Sequence, residues 1–328
     1  MRAARYERTG QAHEVLEVVD LPSPQPAAGE VLVEIHASGV NPHDVKKRSG
    51  WLGGSPALGG VVPHSDGAGV VNDVGPGVDP SRIGERVFVF RAGPARGTCA
   101  ECVVVPASHA VGLPAGVGFD AGACIGVPSI TAWLAVLADG PVTGDTVLIN
   151  GGSGAVGRMA VELAVWNGAR VIATAGGPDR MAIATRRGAD IVLDYRSDDL
   201  ASAILDLTHG EGVQRIVDVD FGANVALNAK VLADHGTIAA YSSTSNRTPT
   251  LPYYDFALKP ARLTFVQGAK LQPGEREAAV KVITALMGKG RLLPDISDKL
   301  PLEEVADAHV AVEGGADGNV VVMLRDGN

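Results

Sequence analysis

Short apolar, β-branched runs punctuated by glycine and proline dominate the first third of the chain. Val31–Ile35, Gly69–Val74, Arg86–Phe90 and Cys102–Val105 each have strand length and end at turn residues. Few helical periods lie between them, so a compact, mostly β domain with glycine-rich loops is expected. From about Ala121 the pattern changes. Ile125–Leu137 is long and apolar and predicts a helix crossing between domains. Strands and helices then alternate: strands Thr146–Asn150, Val171–Thr174, Ile191–Leu193, Ile216–Val219 and Gly236–Tyr241, with helices starting near Ala155, Pro178, Asp198 and Asn224. Alternation at this spacing predicts βαβ units and a parallel sheet covered on both faces. After Leu263–Gln267 come a final helix, about Gly274–Lys289, a proline-rich passage and a strand, Val320–Leu324, free to rejoin the first domain.

Composition narrows the class. A chain of 328 residues exceeds the usual limit of one core, and 46% hydrophobic residues supply a sizeable interior. The formal charge of −9, with no long basic tract, argues against nucleic-acid binding as the main role. No stretch approaches eighteen uninterrupted apolar residues, so no membrane partner is expected and a soluble, cytoplasmic protein is. Three cysteines do not make a disulfide framework.

Val147–Gly157 reads VLINGGSGAVG, in which Gly152, Gly154 and Gly157 satisfy G-x-G-x-x-G. The pattern alone is weak in a chain with 42 glycines. Between an apolar strand and an amphipathic helix it predicts a dinucleotide site: a tight turn, backbone approach to the pyrophosphate, close helix–strand packing, and free amides at the helix start. An NAD site usually carries an acid at the end of the next strand. Here stand Ala173, Thr174, Ala175, Gly176 and Gly177, followed by Asp179, which suits a helix's first turn, and by Arg180; Arg196 lies beside Tyr195. A missing carboxylate and nearby guanidinium favour NADPH over NADH.

Gly39–Gly50, GVNPHDVKKRSG, reads as a polar loop that is a metal site, an anion cradle or the lip of an active site. His43 and His64 with Asp44 and Asp66 supply donor types for a metal, although local hydrogen bonding is the commoner fate of such residues. Cys99 and Cys102 form CxxC without a second pair, and packing is expected of them rather than redox chemistry.

Taken together, PAAGEVLVEIHASGVNPHD (Pro26–Asp44), RSG (Arg48–Gly50), PHSDGAGVV (Pro63–Val71), GTCAECVVVPA (Gly97–Ala107), SITAW (Ser129–Trp133), the glycine loop, GARVIAT (Gly168–Thr174) and GADIVLDYRSDDL (Gly188–Leu200) resemble the medium-chain dehydrogenase/reductases. Within them the chain is similar to the zinc-free quinone oxidoreductase, or zeta-crystallin-like, branch. The resemblance implies an α/β protein: a doubly wound Rossmann sheet over residues 123–267, and a GroES-like, mostly β domain over 1–122 completed by 268–328. It places the active site in an interdomain cleft and implies a homodimer through the Rossmann edge strand Leu263–Gln267. It further implies that Gly152, Ser153, Gly154, Ala155, Val156 and Gly157 hold the diphosphate, and that Asn41, Thr131, Tyr241, Ser242, Thr244 and Asn319 belong to the cofactor site, with Asn41, Thr131, Tyr241 and Thr244 lining its nicotinamide half. Gly176, Arg180 and Tyr195 match positions that contact the adenosine 2′-phosphate. The zinc-dependent relatives carry a cysteine and a histidine where this chain has Asn41 and Ser65, and their four-cysteine lobe is absent, so no metal is expected.

The implied reaction is NADPH-dependent hydride transfer to a quinone or an α,β-unsaturated carbonyl, whose acceptor carbon needs no Lewis acid. Two other readings stand beside it: a biosynthetic tailoring reductase acting on one enone intermediate, and an NADPH-binding protein with little turnover. The catalytic candidates are Asn41, Asp44, Lys46 and Thr131. Lys46 stands where close relatives often have tyrosine; it steadies a developing enolate oxygen, grips an acidic substrate, or points to solvent. Asp44 orients its neighbours, acts through water, or caps a loop. Thr131 bonds the nicotinamide, a water, or its own helix backbone.

Overall fold

A computed structural model describes all residues except Leu52, Pro94, Ser197, Asp198 and 326–328. Its strands are β1 (Arg2–Arg5), β2 (Glu17–Asp20), β3 (Glu30–Val40), β4 (Asp66–Val74), β5 (Arg86–Val89), β6 (Cys102–Pro106), β7 (Ala110–Gly112), β8 (Thr146–Ile149), β9 (Arg170–Ala175), β10 (Ile191–Asp194), β11 (Val213–Asp218), β12 (Leu232–Ala240), β13 (Arg262–Phe265), β14 (Ile296–Pro301) and β15 (Asn319–Met323). The chain forms two compact units, Met1–Val127 with Val280–Asn328, and Pro128–Ala279.

In the first unit a seven-stranded sheet runs β14-β15-β3-β4-β5-β7, with β6 also paired to β3, and β1 and β2 form a separate hairpin. The β-branched runs seen in the sequence meet face to face: Val31, Val33, Ile35, Val71, Val87, Val89, Val103 and Val105 form one core. The terminal strand rejoins this sheet as expected, β15 lying antiparallel to β3 with Val320 opposite Val40. Sequence reading had missed β1, β2, β14 and the helix Val305–Glu313. β14 (ISDKLP) shows little apolar alternation because most of its side chains face outward, and its strand character comes from pairing with β15.

The polar stretch read as a loop contains an eight-residue helix, Pro42–Ser49. Asn41 is its N-cap, Pro42 occupies the first turn, Asp44 Oδ2 accepts the Asn41 backbone N–H at 3.0 Å, and Gly50 closes it at φ 82°. Proline at the start and left-handed glycine after the end are helix punctuation. Composition hid it, because only Asp44, Val45 and Arg48 are buried.

The second unit is a six-stranded, all-parallel sheet in the order β10-β9-β8-β11-β12-β13. Chain order reverses between β8 and β11, the switch point where open α/β sheets bind ligands at their carboxyl ends. Its central strands are apolar on both faces, as burial in a parallel sheet requires: Val147, Leu148, Ile149, Val171, Ile172, Ala173, Ile216 and Val217 are fully buried. The helix expected from Asp198 has its start outside the described residues and is seen as Leu200–Leu207. The helix expected from Asn224 spans Phe221–Val231. No helix among the described residues is long and apolar enough to cross a membrane.

Candidate active site

The glycine loop leaves the end of β8 at the switch point. Gly152 N–H donates to the Thr174 carbonyl at 2.8 Å and Gly154 N–H to the Gly151 carbonyl at 3.0 Å. A Cβ on Gly157 would lie 2.1 Å from the Gly151 carbonyl oxygen, so only glycine lets the helix Ala155–Trp166 start this close beneath the turn. Buried Arg158, which sequence reading missed, donates its Nε–H to the Ser153 carbonyl at 2.5 Å. Ser153, Ala155 and Val156 thus sit on a clamped turn that opens a helix, the geometry that holds a diphosphate.

The neighbouring strand β9 ends at Ala175 with no acid. A Cβ on Gly176 would stand 2.5 Å from the Tyr195 hydroxyl, and one on Gly177 would stand 3.2 Å from an Arg196 guanidinium nitrogen. Tyr195 and Arg196 therefore pack against this glycine pair, held by Asp194, which accepts from Gly177 N–H at 3.2 Å and Arg196 N–H at 2.9 Å. Arg180 lies in the first turn of the helix Pro178–Arg186 that follows the pair.

After β12, Tyr241, Ser242 and Thr244 form a loop fastened to the end of β11. Tyr241 N–H donates to the Asp218 carbonyl at 3.0 Å, Phe221 N–H to the Ser242 carbonyl at 2.9 Å, and the Ser242 and Thr244 hydroxyls bond at 3.0 Å. Burial, with the Asp218 charge adding, raises the Tyr241 phenol well above its ordinary range. Thr131 is buried on the helix Gly126–Leu137.

In the first unit, Asn41 and Asp44 belong to a buried polar cluster. Asn41 Nδ2 donates to Asp66 Oδ2 at 2.9 Å, which also accepts the Val127 N–H at 2.7 Å. Asp66 Oδ1 is buried without a hydrogen-bond partner among the described residues. Burial, with Asp44 adding, pushes the Asp66 carboxyl up to about 8 against those two hydrogen bonds, so it is protonated at neutral pH. Asp44 is also raised by burial, and its Oδ1 accepts the Ser65 hydroxyl at 3.1 Å. The ammonium of Lys46 sits 4.8 Å over the Trp51 ring. Asn319, at the start of β15, is buried, and its N–H donates to the Asp295 carbonyl at 2.7 Å.

His64, considered for a metal, is a link in a buried chain. The Thr98 hydroxyl donates to the Asp66 carbonyl at 2.5 Å, Ser38 Oγ lies 2.8 Å from Thr98 Oγ1, His64 Nδ1 lies 2.8 Å from Ser38 Oγ, and His64 Nε2 lies 3.0 Å from His309 Nε2. A carbonyl only accepts, so Ser38 donates to Thr98 and His64 donates from Nδ1 to Ser38. Neutral His64 then accepts at Nε2, and His309 is the Nε2–H tautomer. Burial lowers both imidazoles, His309 to about 3. Among the described residues no group of three or more His, Cys, Asp or Glu side chains could hold a metal. A zinc ion does not fit the Asn41 and Ser65 positions: both are neutral, and both are engaged with carboxyl groups. Cys99 is buried and Cys102 half-buried, both as thiols raised by burial.

Each unit thus assembles its own candidates: Asn41, Asp44 and Lys46 on or beside one helix, and the three glycine-rich or hydroxyl-rich loops at the carboxyl ends of the parallel strands. Arg48 and His309 gave no sequence signal of their roles because their partners lie far away in sequence, Arg48 against Glu313 and His309 against His64; Arg158 and Asp218, bonded to Ser153 and to Asp220, Asn224 and Asn228, read only as ordinary polar positions on a helix and at a strand end.

Comparison with known proteins follows the same division. Residues 27–131 match the alcohol dehydrogenase GroES-like domain and residues 155–285 the zinc-binding dehydrogenase family. Quinone oxidoreductase from Homo sapiens is 30% identical over 328 residues, covering 99% of this chain and 98% of that protein. The crystal structure of an NAD-dependent alcohol dehydrogenase superimposes with a TM-score of 0.89 at 30% identity, over 99% of this chain and 100% of the other. A mycobacterial protein complexed with NADPH does so at 0.87 and 28% identity, over 98% and 100%. The fold and the glycine-loop site define a nucleotide-dependent oxidoreductase. The chain belongs to the medium-chain dehydrogenase/reductase superfamily, in its quinone oxidoreductase branch.

Proposed function

We propose that the protein binds NADP(H) and reduces a quinone or an α,β-unsaturated carbonyl without zinc. The observation that carries this reading is the end of β9, where Gly176 and Gly177 replace an acid and Tyr195 and Arg196 pack against them beside the helix that bears Arg180. The likeness to an NADPH complex supports it; the likeness to an NAD-dependent enzyme is the counterweight that makes cofactor choice the first thing to measure.

The bound nicotinamide supplies the hydride. Ser153, Ala155, Val156 and the glycines of the loop offer backbone N–H groups and a helix N-terminus to the diphosphate. Arg180 and Tyr195 take the 2′-phosphate, and Thr131, Tyr241, Ser242, Thr244, Asn41 and Asn319 belong to the rest of the cofactor site. Asp44 orients: its two oxygens hold the Asn41 backbone and Ser65, which fixes the start of the helix Pro42–Ser49. Lys46 follows on that helix as the cation assigned to an enolate or phenolate oxygen on the substrate. An already electrophilic carbon accepts hydride without a Lewis acid, which is consistent with the neutral Asn41 and Ser65 where zinc ligands would stand.

A second copy of the chain is the proposed partner. β13 is an open sheet edge with all four residues exposed, including Leu263 and Phe265, and exposed Tyr253, Tyr254 and Leu258 lie on the chain just before it. Exposed apolar edges of this kind are ordinarily covered.

The test pairs binding with turnover. NADPH should raise the melting temperature more than NADH at equal concentration, and a quinone panel should consume NADPH. Equal or reversed shifts would refute the 2′-phosphate reading, and tight NADPH binding without turnover on quinones or enones would refute the reductase.

A further inference from the structure

Asp218 closes β11 with no solvent exposure, and the groups that satisfy its carboxylate are amides. Asn224 Nδ2 and the Asp220 backbone N–H donate to Oδ1, each at 2.8 Å, and Asn228 Nδ2 donates to Oδ2. Because a carboxylate only accepts, Asn228 must turn its Nδ2 inward and its Oδ1 away. That oxygen accepts Asn150 Nδ2 at 3.2 Å. Asn150 is thereby turned so that its own Oδ1 receives the Thr174 hydroxyl, at 3.5 Å the longest link. Thr174 Oγ1 accepts the Gly151 N–H at 3.2 Å, and the Thr174 carbonyl accepts that of Gly152 at 2.8 Å. One buried carboxyl that accepts on both oxygens therefore dictates the rotation of two asparagine amides and one hydroxyl, and the string ends on the first residues of the glycine loop.

The same residue reaches the other loop. Its carbonyl accepts the Tyr241 N–H at 3.0 Å, and Asp220, two residues on, accepts the Ser245 N–H at 3.1 Å. We infer that Asp218 is a positioning residue that registers the glycine loop against the Tyr241–Thr244 loop, so that one dinucleotide is held at both ends. The inference rests on the proposed reading of those loops as the cofactor site. An asparagine at 218 would bring one N–H too many to a site whose neighbours already donate, and the string would have to reverse or break.

Two variants test it. Asp218→Asn should weaken NADPH binding about tenfold, the effect expected from losing one charge-assisted hydrogen bond's worth of ordering. Thr174→Val keeps the β-branched shape and removes the hydroxyl with its bonds to Asn150 and to the Gly151 N–H, so it should weaken binding about threefold, with Thr174→Ser restoring it. Both should raise the KM for NADPH more than they lower kcat, and the double variant should lose less than the product of the single losses, because both cut one string. A purely structural Asp218 would lower the melting temperature while leaving affinity intact; parental affinity in Thr174→Val, or single losses that multiply in the double variant, would overturn the inference. The parent protein separates the two claims: if it binds neither NADPH nor NADH, the functional reading fails, whereas a parent that binds alongside variants that bind equally well defeats the positioning role alone.

Discussion

Each unit buries an acid beside its candidate residues, and the two acids are treated in opposite ways. Asp218 receives N–H donors on both oxygens, from the Asp220 backbone, Asn224 and Asn228, with the Asn150 side chain also drawn to it. Asp66 receives two donors on one oxygen and leaves the other without a partner among the described residues. Burial raises both carboxyls, but the value reached at Asp66, about 8, leaves it neutral where most carboxyls are charged. Burial is the largest cause at both; the donors oppose it, on both oxygens at Asp218 and on one at Asp66, where the Asp44 charge adds to the rise. In the parallel-sheet unit the buried carboxyl of Asp218 is bonded toward two loops; in the β-rich unit a protonated Asp66 fixes one amide, Asn41.

The largest break in this contrast comes from removing each acid. Asp218→Leu strands donors on both oxygens and should cost roughly 3–5 kcal/mol, while Asp66→Leu strands the two on one oxygen and should cost about 2–3 kcal/mol, read from urea unfolding of each variant. A reversed order would mean that donor count does not govern these sites. The next effect is pH dependence. Since the folded Asp66 carboxyl titrates near 8 and the unfolded one near its ordinary 3.8, the native state binds the extra proton between those values. Stability attributable to Asp66 is therefore full below about 4, declines as pH rises, and is gone above 8. Asp66→Asn should flatten the fall in melting temperature between pH 6 and pH 9, and a variant with the parent's slope would refute the protonated Asp66. The smallest effect belongs to the helix surface. Lys46→Ala removes the contact over Trp51 and should cost only about 0.5–1 kcal/mol, while raising KM for an acidic or enolisable substrate if Lys46 serves as proposed. An unchanged KM would assign it to the surface alone.

How much could be read from sequence differs between the units for a physical reason. The glycine loop is a local object: strand, turn glycines and helix are consecutive, so the chain announces it. The same holds for the β-branched strands and for the terminal strand that returns to the first sheet. The helix Pro42–Ser49 was equally local, and its signals, Asn-Pro with Asp44 before Gly50, were visible but outweighed by polarity. Asp66 and Asn41 are 25 residues apart, His64 and His309 are 245 apart, and neither pairing has a periodicity that could betray it. The Asp218 string draws one member from each of three strand ends and one from a helix, which only the order β9-β8-β11 brings side by side.

What the chain by itself determined is therefore its set of elements and its glycine cradle, because backbone sterics and hydrophobic period act over a few residues. The tertiary structure alone decided which acids are buried and which donors reach them, and which way each amide and imidazole is turned. Those outcomes depend on desolvation and on donors supplied from distant strands, and neither exists until the sheets have formed.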